Sequence, residues 1–489
     1  MQKDDNTDPQ DDSEIPDLLQ REKRDYNIEI RRCVISYDEA QTLMRSLNEK
    51  QREVFYKVRQ WCQNKSNGNA PEPFHVFVTG EAGTGKSHLI KTMYYEANRI
   101  LARALPNPDD VSVLLTAPTG VAAFNINAAT IHSTFCIAVD AKLPYQPLGE
   151  EKINSLRAKL SSLQILIIDE ISMVDHKLLA YIHGRLRQIK QCQDFSPFGN
   201  VSIIAVGDFY QLSPVKGIAL HAENVVVNLW ADHFLIAELT EIMRQKHGSF
   251  ADILNRLRTR KKSENLQAED VHALCKRETG EEIDAIHIFA TNQQVDQYNA
   301  DKLHSSCCNI VSIDAEDFFR DAKSGKLVKR ANQYIKVFNT NLARRVTLAV
   351  DACVMLIKNL DVSDGLVNGV FGTVSHISQT TGVSFPSVVY VVFDNPTVGD
   401  KLRKEKCIPP SLPSHSTPIR PQKDRVTNNG GVRRQFPLKL SYACTIHKIQ
   451  GITLKEAVVS LNKIFSAGQA YVALSRVTTL EGLIIQDFK

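Results

Sequence analysis

No C-x-x-C pair occurs among the ten cysteines of this 489-residue chain. Most zinc sites and redox dithiols need that spacing, so neither is expected, and cysteines this scattered argue against a disulfide framework. No apolar run approaches the roughly 18–20 residues that cross a bilayer. The opening stretch, MQKDDNTDPQDDSEIPDLLQ, is acidic and polar. It has neither the apolar core of a secretory signal nor the arginine-rich character of a transit peptide. An intracellular protein that touches no membrane is the expectation. Charge of either sign is also scarce in the balance: 59 Lys and Arg face 55 Asp and Glu, for a net +4. That sum neither demands nor excludes nucleic acid, because the distribution matters more.

What is present is ordinary globular material, 43% hydrophobic and 23% charged. The length suits roughly two to four domains. Residues 1–38 read as a disordered tail, acidic first and then basic in REKRDYNIEIRR. SLNEKQREVFYKVRQWC places Leu47, Val54, Phe55, Val58 and Trp61 at helical spacing. Short, nearly continuous apolar runs follow: HVFVTG, VSVLLTAP, LQILIIDE, NVSIIAVGD and NVVVNLW. Buried parallel strands look like this, so residues 39–240 are expected to form an α/β domain. A second alternation, DAIHIFATN, ACVMLIKN, YACTIHK and EAVVSL, predicts a second α/β lobe over 241–369 and 441–489. GVFGTVSHI and SVVYVVFDN read instead as antiparallel strands. With the Pro-, Gly- and Lys/Arg-rich stretch after them they predict a small β insert with a flexible basic loop at 370–440.

The chemistry begins at GEAGTGKSH, residues 80–88, between an apolar strand and a helix. Gly80, Glu81, Ala82, Gly83, Thr84, Gly85, Lys86, Ser87 and His88 make a phosphate loop. Its glycines let the backbone turn so that N–H groups face phosphate oxygens, at the positive end of a helix. Lys86 supplies a point charge for the outer phosphates and Ser87 a hydroxyl for Mg²⁺. LIIDE delivers Asp169 and Glu170 at the carboxyl end of another apolar strand, where open α/β sheets place ligands. Asp169 is expected to hold Mg²⁺ and Glu170 to orient or deprotonate the attacking water. Neighbouring side chains on a strand point oppositely, so both act only if the strand ends there. Gln211, past the strand in VGDFYQLSPV, is placed to sense the γ-phosphate. Arg244 in LTEIMRQ and Arg476 in YVALSR lie far along the chain. A guanidinium reaching in from a second body stabilises a transferring phosphoryl group, although an arginine read alone is more often a surface residue.

These blocks, in this order, resemble superfamily-one helicases of the Pif-one (petite integration frequency) family, close to RecD-like and Helitron-type helicases. The matching stretches are LNEKQ, GEAGTGKS, LLTAPTGVAAFNI with TIHSTF, IIDEISMVD, GDFYQLSPV, LTEIMRQ, ATNQQVDQYN, LVNGVFGTV, YACTIHKIQGITL and AYVALSRV. They run from about residue 47 to 478. The resemblance implies two RecA-like P-loop lobes with parallel sheets, a short wedge near 136–160, and an SH3-like β insert in the second lobe. It implies ATP and Mg²⁺ between the lobes, single-stranded DNA across both, and 5′→3′ unwinding at single-strand/duplex junctions. Gln51 then recognises adenine, and Gly451 lies at the nucleotide. A monomer in the nucleus, with the mitochondrion as the alternative, and work in DNA repair, recombination or telomere maintenance fit the same family.

A motor must grip the strand without reading it, through phosphate contacts and base stacking. Thr119 and the Gly120 backbone, His132 and Phe135, and Thr445, His447 and Lys448 are the candidates, each near a strand end. A lone histidine is usually structural; the family pattern reverses that. The basic loop at 401–434 is a further DNA contact or simply solvated. Two departures stand out: Ser213 replaces the family's second proline, and Ile449 replaces a serine, removing one phosphate contact. The chain also stops soon after Arg476, so no C-terminal accessory domain is expected. The competing reading is an ATP-gated single-stranded-DNA-binding protein, or a transposon-derived remnant that no longer separates strands. A transposon nickase is disfavoured because no His-x-His pair occurs.

Overall fold

The computed structural model describes residues 35–488 except 108, 193–195, 216, 224–227, 242–248, 261–263, 281–282, 321–326, 330–339, 379–384, 407, 426–430 and 467. The N-terminal tail through residue 34 and Arg244 therefore lie outside the described residues. Tyr37 and Asp38, assigned to the tail from sequence, instead open helix α1 (Tyr37–Arg45), which Ser36 caps.

Helix α2 (Glu49–Ser66) starts on a capping box: the Asn48 side chain accepts from Gln51 N, and the Gln51 side chain accepts from Asn48 N. It buries Gln51, Val54, Phe55, Val58 and Cys62, one stripe at helical spacing. The first sheet comprises β1 (His75–Gly80), β2 (Val113–Ala117), β3 (Ala129–Thr130), β4 (Ile165–Ile168), β5 (Ser202–Gly207) and β6 (Leu235–Leu239). All neighbours pair parallel, in the order β3-β2-β4-β5-β1-β6. Alternation along the strands divides two cores. Leu166, Ile168 and Ile203 face one with α6 (Glu150–Leu160) and α7 (His176–Lys190). Ile165, Ile167 and Ile204 face the other with α2 and α3 (Lys86–Leu101). Helices α4 (Gly120–Asn125) and α5 (Ile131–Thr134) follow β2 and β3. Most of one expected strand, NVVVNLW, lies outside the described residues. Residues 224–227 are outside the description, Asn228 caps helix α8 (Leu229–His233), and β6 takes the edge.

Helices α9 (Ser249–Thr259), α10 (Ala268–Cys275) and α11 (Asn292–Ser306) surround a second parallel sheet. Its strands are β7 (His287–Phe289), then β19 (Ala443–Thr445), β20 (Ala457–Ser460) and β21 (Leu483–Gln486), ordered β19-β7-β20-β21. Between β7 and β19 the chain builds an antiparallel insert. It contains β8 (Val311–Asp314), β9 (Glu316–Arg320), β10 (Leu327–Lys329), β11 (Arg345–Leu348), β12 (Cys353–Leu356) and β13 (Phe371–Ser378). It continues with β14 (Val388–Phe393), helix α12 (Asp400–Glu405), β15 (Ser416–Ile419), β16 (Gln422–Arg425), β17 (Val432–Gln435) and β18 (Leu438–Leu440). Helix α13 (Gln469–Leu474) completes the second lobe.

The insert is larger than the 370–440 segment expected. The run ACVMLIKN, read as a strand of the second lobe, is β12, an internal strand of the insert's five-stranded sheet, β15-β14-β13-β12-β18. Strand pairing, invisible to a local apolar count, decides which sheet such a run joins. Described parts of the basic stretch are anchored rather than free. Arg403 donates to Val398 O, Pro396 O and Thr417 Oγ1, while Arg433 and Arg434 pair with Asp317 and Glu316.

Candidate ATP cleft and nucleic-acid track

Strand β1 ends at Gly80 and the chain turns through Gly83 (φ +92°) and Gly85 (φ +76°) before α3 begins at Lys86. Only glycine adopts this left-handed backbone cheaply, which is why the loop holds glycine at those two points. Gly80 is constrained differently: a Cβ there would stand 2.7 Å from the Leu239 carbonyl oxygen and from Thr84 Oγ1. Gln51 supports the loop from beneath, donating from Nε2 to Thr84 O at 2.9 Å. It is buried and does not line the cleft, so its amide braces the loop in this structure.

A cavity of about 350 Å³ opens above the loop. The first lobe lines it with Ala82, Gly83, Gly85, Lys86, Ser87, His88, Glu170 and Gln211; the second contributes Gly451, Ile452, Thr453 and Arg476. Ten of the sequence-chosen residues are thereby brought together. Gly80, Glu81 and Thr84 form the loop's underside, with the Thr84 hydroxyl donating to Glu81 O. A larger, mainly apolar hollow of about 650 Å³ lies between α2 and β6 and shares no residue with the cleft. It lacks a phosphate-binding turn and is not the site.

Strand β4 ends at Ile168, and Glu170 takes a left-handed backbone conformation (φ 49°, ψ 46°). The strand geometry that would separate the two carboxylates has therefore stopped before them. Asp169 Oδ1 accepts from Glu170 N at 2.9 Å. Burial, then the neighbouring Glu170 charge, raises the Asp169 carboxyl well above its ordinary range, with Lys86 opposing. Lys86 is itself held below the usual lysine value by burial, against Asp208, Glu170 and Asp169. Its Nζ donates to Gly80 O and Glu81 O, both at 2.8 Å. Asp208 is neutralised by Arg258, leaving Asp169 and Glu170 beside Lys86; a hydroxyl and a carboxylate, Ser87 and Asp169, are oxygen donors of the kind that would hold Mg²⁺.

Gln211 is buried and its Oε1 has no hydrogen-bond partner. Arg476 is 4% exposed and donates to Val472 O at 2.8 Å and Ser475 Oγ at 2.8 Å while lining the cleft. Four important groups had drawn no role from the sequence. Asp208, at 0% exposure, is paired with Arg258 of α9 at 3.0 Å, and the Arg258 guanidinium lies 4.5 Å from the Tyr210 ring centroid. Tyr471 Oη accepts from the loop amide of Ala82 at 3.0 Å. Gln450 Nε2 reaches Glu170 Oε2 at 3.3 Å. GDFYQ, AYVALSR and KIQG had marked three of these neighbourhoods; nothing in NRLRTR distinguishes Arg258.

The strand-gripping candidates are not equal. Thr119 caps α4, accepting from Ala122 N. Gly120 is buried, and a Cβ on it would meet Asn359 Oδ1 of the insert at 2.6 Å. His132 and His447 are half-buried, and burial lowers both imidazoles below their usual value. Thr445 is half-buried at the end of β19, and Lys448 Nζ donates to Asn368 Oδ1 at 3.0 Å. Phe135 is a correction. It is fully buried in the core with Ile131, Ile182 and Leu186, so it cannot stack on a base. An aromatic beside a polar motif looks exposed in sequence; its position at the end of α5, turned inward, removes it.

Two family profiles match, "PIF1-like helicase" over residues 46–267 and "DNA helicase Pif1, 2B domain" over 338–377, together more than half the chain. The Xenopus laevis ATP-dependent DNA helicase PIF1 is 32% identical over 419 residues, 85% of this chain and 59% of that protein. The chain thus spans under two thirds of that relative's length. A Bacteroides Pif1 structure bound to single-stranded DNA matches with TM-score 0.65 at 26% identity, covering 91% of this chain and 92% of that one. The unliganded structure of a Bacteroides Pif1 matches over the same shares at 26% identity with TM-score 0.51.

Proposed function

The chain belongs to the PIF1-like helicase family, and we propose that it is an ATP-driven DNA helicase that moves 5′→3′ along single-stranded DNA and opens duplex at junctions. The observation that carries this is the cleft itself. Phosphate-loop residues and Glu170 of the first lobe share one cavity with Arg476 of the second.

ATP enters with its phosphates on the loop amides, at the N-terminus of α3. Lys86 exchanges its two carbonyl contacts for phosphate oxygens. Ser87 and Asp169 would hold Mg²⁺, which would neutralise charge on the phosphates. Glu170 accepts the proton of a water whose oxygen bonds to the γ-phosphorus. The bond from that phosphorus to the bridging oxygen breaks, and its electron pair leaves with ADP. Gln211, with a free buried carbonyl, and Arg476 sense the γ-phosphate from the two lobes; Arg244 is proposed for the same duty. Gln51 is proposed for adenine recognition, which requires its amide to leave the bracing contact with Thr84 O.

Thr119, Gly120, His132, Thr445, His447 and Lys448 are the proposed strand contacts. The closer match to the DNA-bound relative supports a lobe arrangement suited to holding a strand. Opening duplex opposes stacking of roughly 1.4 kcal/mol per step, well within one ATP per base. We place the protein in the nucleus, as a monomer.

Strand displacement on 5′-tailed and 3′-tailed duplexes, with ATP and Mg²⁺, tests the reading. Wild type opens the 5′-tailed substrate alone, and Lys86→Ala opens neither. ATP-dependent DNA binding without strand separation would favour a gated clamp instead.

A further inference from the structure

Residues 445–451 are tied down at three places, and one tie touches the reacting groups. Lys448 is held by Asn368 of the insert at 3.0 Å. Asn125, at the end of α4, donates to Gly451 O at 3.4 Å. Between them Gln450 Nε2 donates to Glu170 Oε2 at 3.3 Å and to Ser172 Oγ at 3.4 Å. Gln450 is only 7% exposed, and its Oε1 is buried with no hydrogen-bond partner. A half-satisfied buried amide costs free energy that an apolar side chain of the same size would not. The amide orientation is also dictated: turned over, Oε1 would face a carboxylate, acceptor against acceptor.

Glu170 needs such outside support. Its left-handed backbone is sparsely populated for any residue but glycine, and β4 has already ended. Gly451, itself left-handed at φ +80°, keeps the far side open: even a Cβ there would stand 3.5 Å from Glu170 Oε1. The turn Ile446–Ile449 leads straight into Gln450, and both isoleucines are fully buried. Close-packed interiors transmit strain, so a shift at Lys448 is felt at Gln450.

We infer that Gln450 is a positioning residue that couples an occupied DNA track to ATP hydrolysis. The inference rests on the helicase reading above. Strand phosphates on Thr445, His447 and Lys448 seat the segment against α4, and the Gln450 amide then fixes the Glu170 carboxylate for its water. When the track is empty the segment is free to withdraw, and Glu170 loses its external donor.

Steady-state ATPase of the full chain, with and without saturating oligo-dT, tests this in wild type, Gln450→Met and Asn125→Ala. Gln450→Met keeps the packing volume and removes the amide. The ratio of DNA-saturated to DNA-free turnover is expected to fall about fivefold or more, the lower end of couplings between two sites. The loss should lie in kcat, with the ATP KM and the half-activating oligo-dT concentration unchanged; a merely structural defect would move those as well. Asn125→Ala, at an exposed position, should lower the ratio in the same sense and keeps the test decisive if Gln450→Met misfolds. A wild-type ratio in both variants, or a loss arising only from weaker oligo-dT binding, overturns the inference. A wild-type enzyme whose ATPase ignores DNA overturns the helicase reading itself.

Discussion

Tyr471 of the second lobe accepts a 3.0 Å hydrogen bond at its hydroxyl from the backbone N–H of Ala82 in the phosphate loop. The two residues are 389 positions apart in sequence. Nearby, Gly468 comes so close to Tyr210 that an added Cβ would lie 2.6 Å from its carbonyl oxygen. The phosphate loop is thus shaped partly by the lobe that faces it.

Tyr471→Phe removes that acceptor while keeping the buried ring. A net hydrogen bond of about 0.5–1.5 kcal/mol corresponds to a roughly two- to tenfold rise in the ATP KM. The measurement is ATPase turnover against ATP concentration; an unchanged KM would mean that the contact does not shape the loop.

Lys86→Ala removes the one lysine that lines the cleft among the described residues. Losing a single preorganised charge partner costs about a hundredfold or more in turnover. Circular dichroism and a melting curve should remain close to wild type, since the Lys86 bonds to Gly80 O and Glu81 O hold only a loop.

Phe135→Ala separates core from track. A fully buried phenylalanine truncated to alanine costs about 3–5 kcal/mol of stability, read by denaturant unfolding. Affinity for oligo-dT, per folded molecule, should stay at the wild-type value. A large loss of affinity without loss of stability would return Phe135 to the track.

Protonation of two buried histidines should destabilise the first lobe in mild acid, with the raised Asp169 carboxyl acting in the opposite sense. Burial lowers the imidazoles of His75 and His183 to about 4. The second cause is His233 for His75 and Arg187 for His183. Phe198 N donates to His183 Nδ1 at 3.1 Å, a bond only the neutral ring accepts. Both folded values lie below the unfolded one, near 6.5. The unfolded chain therefore binds more protons between those limits, and stability falls as pH drops from about 6.5 toward 4. Urea midpoints across that interval should decline, and less steeply in His183→Gln.

The phosphate loop and the two acids after β4 were readable because their chemistry is local; Arg476 was picked out by the family pattern, not by its own surroundings in sequence. Glycine at left-handed turns, a lysine at a helix start, and carboxylates after an apolar run follow from backbone sterics and charge alone. The parallel sheet of the first lobe was equally legible, since strands buried on both faces read as unbroken apolar runs. The failures share a different cause. ACVMLIKN is as apolar as a parallel strand but pairs antiparallel within the insert, Phe135 turns inward, and Arg433 and Arg434 of the basic stretch pair with acids of the insert. Local sequence by itself fixed which groups can bind a triphosphate. Only the tertiary structure decided which distant groups meet them: Tyr471 on Ala82, Arg258 on Asp208, Gln450 on Glu170. Such contacts depend on how two lobes pack across hundreds of residues, and no spacing in one chain encodes a distance between surfaces that meet only after folding.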